Sequence, residues 1–452
     1  MSWQLAWLAM VPVALIRAGT LAETDTFWQV RAGLLTLDEG TIPSTDPFSW
    51  TVHGQAWTLN SWGFNVLVAG AYRLGELPGV ALACAALSAV AFGLVLVLAR
   101  RLGASAGVAG TLLLLTSPLL ISWLSARPQL VDYIAVLALV FLLHRLVSGD
   151  ASAWVLPAIG LLTIAWVNLH AGALLGVAMI AATTVLVFFR SSTRHRGPWC
   201  LGALVIAGAC ALVNPYGVHL LDQTMHVQSS SAGVVAEWQP INPADPLLMT
   251  MLILGLIALA VAARRNDVVF TAAIGVAAVA SVTAIRILPI LLLLALPVLV
   301  SFASHRVVLQ YLHNRRVVFL PAAVAGVAVV AVMAVMSLGH VGRPDPAQYS
   351  SAVVQAIPQN CKVFNSYSLG GFIILQRPDV QVSLDSRNDL YGSHQVLASK
   401  QVLDGIGDLN QELTGADCVL VPPASGLAQS LTSNQAWDLR AADTAAELFI
   451  RR

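Results

Sequence analysis

Residues 23–62 read ETDTFWQVRAGLLTLDEGTIPSTDPFSWTVHGQAWTLNSW, a hydrophilic run set between one apolar stretch and the long series of apolar stretches that follows it. The run holds five acids, Glu23, Asp25, Asp38, Glu39 and Asp46, together with rings at Phe27, Trp28, Phe48, Trp50 and Trp57 and an imidazole at His53. A carboxylate or imidazole can take a proton from a hydroxyl, and flat aromatic rings can stack on a sugar. A loop furnished in this way is the first place to look for chemistry.

The chain around it is lipid-soluble. With 57% hydrophobic and 10% charged residues and a mean hydropathy of +0.77 over 452 residues, it has too little polar surface to coat a globule, where charged residues run at about 25%. It reads as a mainly α, polytopic transmembrane helical bundle. Stretches of roughly 17–25 apolar residues have the length of a membrane-crossing helix. They fall near 2–22, 77–98, 104–124, 129–147, 153–170, 171–189, 199–214, 246–263, 267–284, 287–304 and 317–338, about eleven spans. A net charge of +1 with no basic block excludes a nucleic-acid partner. No P-loop, GxGxxG or HExxH pattern is present, so no organic cofactor is expected and an ATP-driven pump is disfavoured.

Ser61–Gly75 is short for a span, and the arginines decide how to count it. With 61–75 as an interfacial helix on the outer surface, Arg100, Arg101, Arg145, Arg190 to Arg196, Arg264, Arg265 and Arg306 to Arg316 share one side, and Asn214–Asp245, free of Lys and Arg, falls on the other. The positive-inside rule then puts the N-terminus in the cytoplasm and the 22–62 loop outside. A cleaved signal peptide ending near Thr20-Leu21-Ala22 is the competing reading, against which stand the uncharged MSWQ start and Arg17 inside the apolar core.

Residues 1–338 thus form a transmembrane domain. From 339 to 452 short apolar runs alternate with Gly, Asn and Asp turns, which predicts an extracytoplasmic α/β domain. Cys84, Cys200 and Cys210 sit in apolar spans, whereas Cys361 and Cys418 lie at predicted strands outside, where a bridge between them can persist.

Asp25-Thr-Phe-Trp-Gln-Val-Arg-Ala-Gly33, Ile42-Pro-Ser-Thr-Asp-Pro-Phe-Ser49 and Gly54-Gln-Ala-Trp57 resemble the first external loop of the GT-C glycosyltransferase superfamily, in an uncharacterised bacterial branch. Trp166-Val-Asn-Leu-His170, Asn214-Pro-Tyr-Gly217, Glu237-Trp238, Phe364-Asn-Ser-Tyr-Ser-Leu-Gly-Gly371 and Leu384-Asp-Ser-Arg387 extend the likeness over nearly the whole chain. The resemblance implies a bacterial inner-membrane enzyme that moves a sugar, with inversion, from a polyprenyl-phosphate donor to a glycan, glycolipid or protein acceptor on the outer face. It further implies an acid just after the first helix as base or ligand of a divalent cation, by position Asp25. Members often carry His where this chain has Gln29, which leaves a metal or acceptor contact open.

Each candidate residue has a structural alternative. Asp25 serves as base or caps a helix beginning at Thr26; Asp46, before Pro47, is a second acid or a turn former. Arg17, Arg127 and Arg286 stand at outer helix ends, against the positive-inside trend. A lipid-linked phosphate is a natural partner for each, first of all Arg286, and snorkelling or pairing with an acid is the alternative. Asn168, His170, Glu237 and Trp238 line the acceptor side or close helices; Trp28, His53 and Trp57 meet a sugar or belong to an aromatic belt. Asp385 and Arg387 face a ligand beside the first loop, which the Gly370-Gly371 pair lets approach closely, or they pair with each other. A transporter and a non-catalytic membrane partner in envelope assembly remain the alternative functions.

Overall fold

The computed structural model describes residues 1–149, 154–231, 235–305 and 316–452. Arg306 and Arg315, and the first residue of the span expected at 153–170, lie outside them. The chain divides into two compact units, Met1–Gly19 with Ala81–Val218 and Glu237–Val341, and Thr20–Val80 with His219–Ala236 and Gly342–Arg452.

The first unit is helical. Among the described residues four helices are long and apolar enough to cross a membrane: Trp62–Arg101, Gln129–Ser148, Pro246–Arg264 and Ile285–Ala303. The shorter apolar helices include Ala106–Ile121, Val155–Leu169, Ala173–Phe189 and Val268–Thr283. This is the make-up of a multi-pass membrane protein. The expected span 2–22 is broken into Trp3–Leu8 and Val11–Ala18, because Pro12 starts a new helix where a missing N–H costs nothing. Polar caps set several other starts: Ser105 Oγ accepts from Val108 N–H, and Asp267 Oδ1 from Phe270 N–H. Helix Leu288–Ala303 is buried over nearly its whole length, which suits its being apolar on every face.

The basic helix ends gather. Arg101 Nε donates to His144 Nδ1 at 3.0 Å, His144 lies 3.4 Å from Asp267, Arg190 bonds Asn266, and Arg265 Nη1 donates to Ser301 Oγ at 2.8 Å. Chain segments near 101, 144, 190, 266 and 301 therefore share one end of the bundle.

The second unit is built on a five-stranded mixed sheet. Its strands are β1 (Lys362–Asn365), β2 (Gln381–Val382), β3 (Cys418–Val421), β4 (Trp437–Ala442) and β5 (Glu447–Arg451), in the order β2-β1-β3-β5-β4. β2, β1 and β3 run parallel, and β5 pairs antiparallel with both β3 and β4. The bridge Cys361–Cys418, with Cα atoms 6.4 Å apart, ties the starts of β1 and β3. Phe364, Val419, Val421, Leu427, Leu431 and Phe449 fill the core on one face.

Residues of the first loop complete this unit. Segment 44–57 is a hairpin closed by Trp57 N–H to Ser44 O and Asp46 N–H to Gln55 O, turning at Gly54 with φ +76. Its near strand adds to the sheet edge, where Val382 N–H donates to Phe48 O and Trp50 N–H to Val382 O. Helix Thr24–Glu39 ends on Gly40 with φ +69, a position that favours glycine. It packs on helix Tyr367–Gln376, with Phe27 edge-on to Phe372 at 5.1 Å. A side chain at Gly371 would strike the Thr24 carbonyl and one at Gly370 the Leu384 carbonyl, so the glycine pair does permit the close approach. Glu76, at φ 51, breaks helix Trp62–Arg101 and divides 62–74 from the apolar stretch beyond.

Candidate functional site

Two of the polar clusters, one in each unit, hold most of the candidate residues. In the second unit the cluster is centred on Arg387, which is 1% exposed. Arg387 Nε and Nη2 donate to the two oxygens of Asp385 at 2.8 and 2.6 Å, and Nη1 lies 2.7 Å from Asp46 Oδ1. Asp46 also accepts from the backbone N–H groups of Phe48 and Ser49 at 3.1 and 3.0 Å and from the Ser49 hydroxyl. Tyr391 Oη donates to Asp385 at 2.8 Å. Burial and the Asp385 carboxylate push that hydroxyl well above its ordinary range. Burial alone would pull the guanidinium down, but the Asp385 and Asp46 charges outweigh it, and Arg387 is held well above its usual value.

Rings enclose the charge. Trp57, Phe48 and Tyr391 lie 4.6, 5.1 and 5.7 Å from the guanidinium, and Trp28 meets Trp57 at 5.8 Å. Trp28, Trp57, Asp46, Asp385 and Arg387 are all buried. Of the alternatives open for these five, Asp385 and Arg387 pair with each other and with Asp46, as a buried charge requires, while Trp28 Nε1 donates to Asp25 and Ser386. His53 stands exposed at the hairpin tip.

Asp25 borders this cluster. It is partly buried, and Trp28 Nε1 donates both to its Oδ1 at 3.3 Å and to Ser386 Oγ at 3.0 Å. The helix starts at Thr24 with Glu23 as its N-cap, so Asp25 sits in the first turn and is not the cap that the sequence offered. There a carboxylate is favoured by the helix dipole. Gln29, one turn on, is 3% exposed and its side-chain carbonyl has no hydrogen-bond partner among the described residues.

The second cluster stands in the first unit, at the bundle end opposite the arginine-rich one. Asp132, at the start of helix Gln129–Ser148, accepts from Trp166 Nε1 at 2.7 Å and lies 2.8 Å from His170 Nδ1. A side chain at Gly172 would overlap its carboxylate, so glycine makes the room. Sequence reasoning missed Asp132; an acid inside an apolar span was the available signal. Arg127 forms an ion pair with Glu237, and Asn168 Nδ2 donates to Val213 O at 2.8 Å, joining two helix ends. The carbonyl of Gln239 accepts from Ile285 N–H, bringing Arg286 over the Trp238 ring at 4.2 Å. Arg286 has no carboxylate within 4 Å among the described residues, although Glu237, Arg127 and Asp132 are in electrostatic range. Arg17, half-buried in the last turn of its helix, likewise has no ion pair among them.

A divalent cation is implied by the resemblance. Among the described residues no three His, Cys, Asp or Glu side chains gather as a ligand set.

No family model and no curated protein matches this sequence. Solved structures do resemble it. ArnT from Cupriavidus metallidurans in the apo state aligns over 99% of this chain and 97% of its own, with TM-score 0.60 and 13% identity. The same protein bound to undecaprenyl phosphate aligns with TM-score 0.60 and 14% identity, over 99% and 97% of the two chains. The archaeal oligosaccharyltransferase AglB from Archaeoglobus fulgidus, in complex with an inhibitory peptide and a dolichol-phosphate, covers 93% of this chain and 69% of its own, with TM-score 0.60 and 13% identity. At these identities the likeness is one of fold.

Proposed function

We propose that the protein is a membrane glycosyltransferase that moves a sugar, with inversion, from a polyprenyl-phosphate donor to a cell-envelope acceptor on the outer face of the membrane. The observation that carries this reading is Arg286, stacked on Trp238 with no carboxylate within 4 Å among the described residues. A guanidinium stacked on a ring, with no carboxylate in direct contact among the described residues, suits a phosphate, which it grips through two parallel hydrogen bonds. The fold adds support, since one structural neighbour was captured with undecaprenyl phosphate and another with dolichol-phosphate. In this reading the apolar stretches make about eleven spans, with the N-terminus cytoplasmic and the disulfide-bearing domain outside. Asp25 is the base: it is partly buried, held by Trp28, and need only come within about 2.6–3.2 Å of an acceptor hydroxyl.

The test is binding of undecaprenyl phosphate to purified protein in nanodiscs, compared between wild type and Arg286→Gln. Loss of one charge-assisted contact should weaken binding about tenfold or more. Unchanged affinity in a variant with unchanged melting temperature would remove Arg286 from the donor site and the reading with it.

A further inference from the structure

The second unit contains a cleft of about 420 Å³, apart from the Arg387 staple, walled on one side by Arg31 of helix Thr24–Glu39. Pro47 of the hairpin and Pro378 supply flat apolar surface, the largely buried Phe48 lies behind them, and the amides of Asn360 and Gln381 supply donors and acceptors. Arg31 is half-buried and has no hydrogen bond or ion pair among the described residues. The lining holds one acid, Asp379, and it is already spoken for. Arg377 Nε and Nη2 donate to its two oxygens at 2.9 and 2.6 Å, and the Asn360 backbone N–H donates to it as well. The bond from Arg377 keeps that carboxyl below its ordinary range, so it stays an anion locked to its own partner. One positive charge, that of Arg31, is left uncompensated in the cleft.

We propose that this cleft binds a saccharide carrying one carboxylate, of the hexuronate class. The carboxylate matches the single guanidinium, whose planar fork grips it through two hydrogen bonds. Sites for phosphate dianions usually gather several cations or a fan of backbone N–H groups, and the lining offers one free cation. The proline surfaces suit the C–H face of a pyranose ring, while the two amides suit adjacent hydroxyls, which is the usual division of labour in a small-molecule site. The inference goes beyond the transferase reading and does not need it, since binding here involves no lipid donor.

Full-length protein in detergent is titrated with D-glucuronate, D-glucose and inorganic phosphate, with ligand contacts followed by saturation-transfer NMR. Glucuronate should bind saturably and at least about tenfold more tightly than glucose, the worth of a charge-assisted contact, and phosphate at equal concentration should not displace it. Arg31→Gln should bring glucuronate down to the level of glucose, and Arg31→Lys, which keeps charge but loses the fork, should fall between. Equal binding of the two sugars by the wild type overturns the proposal without any variant. So does displacement by phosphate, absence of saturable binding, or an Arg31→Gln protein of unchanged melting temperature that binds glucuronate as before.

Discussion

Nη1 of Arg387 lies 2.7 Å from Oδ1 of Asp46, which fastens the hairpin of the first loop to the C-terminal sheet through a charge pair with no solvent exposure. Removing one partner of such a pair leaves the other charged and buried, at a cost of about 3–5 kcal/mol. Arg387→Ala should therefore lower the melting temperature of the purified protein sharply, and Asp46→Ala nearly as much. A double variant with both partners gone should be less destabilised than the sum of the two. Additive losses would show that the pair is not coupled.

Asp25 stands close to this staple without belonging to it. Asp25→Asn keeps the size of the side chain and an oxygen able to accept from Trp28, so folding should survive while turnover with a lipid-linked donor falls by roughly 100-fold or more. Full activity in a well-folded Asp25→Asn protein would move the base elsewhere, with His170 beside Asp132 the next residue to test.

Asp389, on helix Asn388–Leu403, accepts from Gln223 Nε2 at 2.9 Å, and burial raises its carboxyl to about 6. An acid raised by folding takes up its proton more readily in the native state. The unit should therefore gain stability as pH falls through 6 toward 4 and lose it again as pH rises, by at most about 3 kcal/mol for this group. Asp389→Asn, which cannot titrate, should flatten that part of the stability profile. Parallel profiles for the two proteins between pH 4 and 7 would rule the carboxyl out as the source.

The bridge Cys361–Cys418 closes a loop with a sequence separation of 57, and losing a bridge of that kind typically costs about 2–4 kcal/mol. Paired Ser substitutions should lower the melting temperature, whereas dithiothreitol should have little further effect on that double variant. Equal sensitivity to reductant in both proteins would place the redox effect at another site.

Topology is open to direct labelling. A cysteine replacing exposed Asn242 in whole cells should react with a membrane-impermeant maleimide, and one replacing exposed Ser192 should be spared until the cells are opened. The reverse pattern would turn the protein over and put the first loop in the cytoplasm.

The parts of the structure legible in the sequence are those set by local chemistry. Apolar stretches became helices because hydropathy acts over a continuous run, and the break near residue 76 followed from an apolar stretch too short to span. The pairing of Cys361 with Cys418 was legible as a possibility because thiols at two predicted strands have few other uses. Long-range partnerships were harder. Nothing near Asp46 announces Arg387, and nothing near Asp132 announces Trp166 or His170, which arrive from a different helix. The addition of Phe48 and Trp50 to the sheet edge runs through backbone atoms alone, and backbone atoms carry no residue signature.

That added strand fixes an order of events during synthesis. The ribosome releases Phe48 long before Val382, so the hairpin is made well before the sheet edge that it joins. Until then its edge is unpaired and Asp46 has no counter-ion. A chain truncated anywhere before residue 382 would lack the edge that Phe48 and Trp50 bond, and the hairpin would keep those backbone groups unpaired.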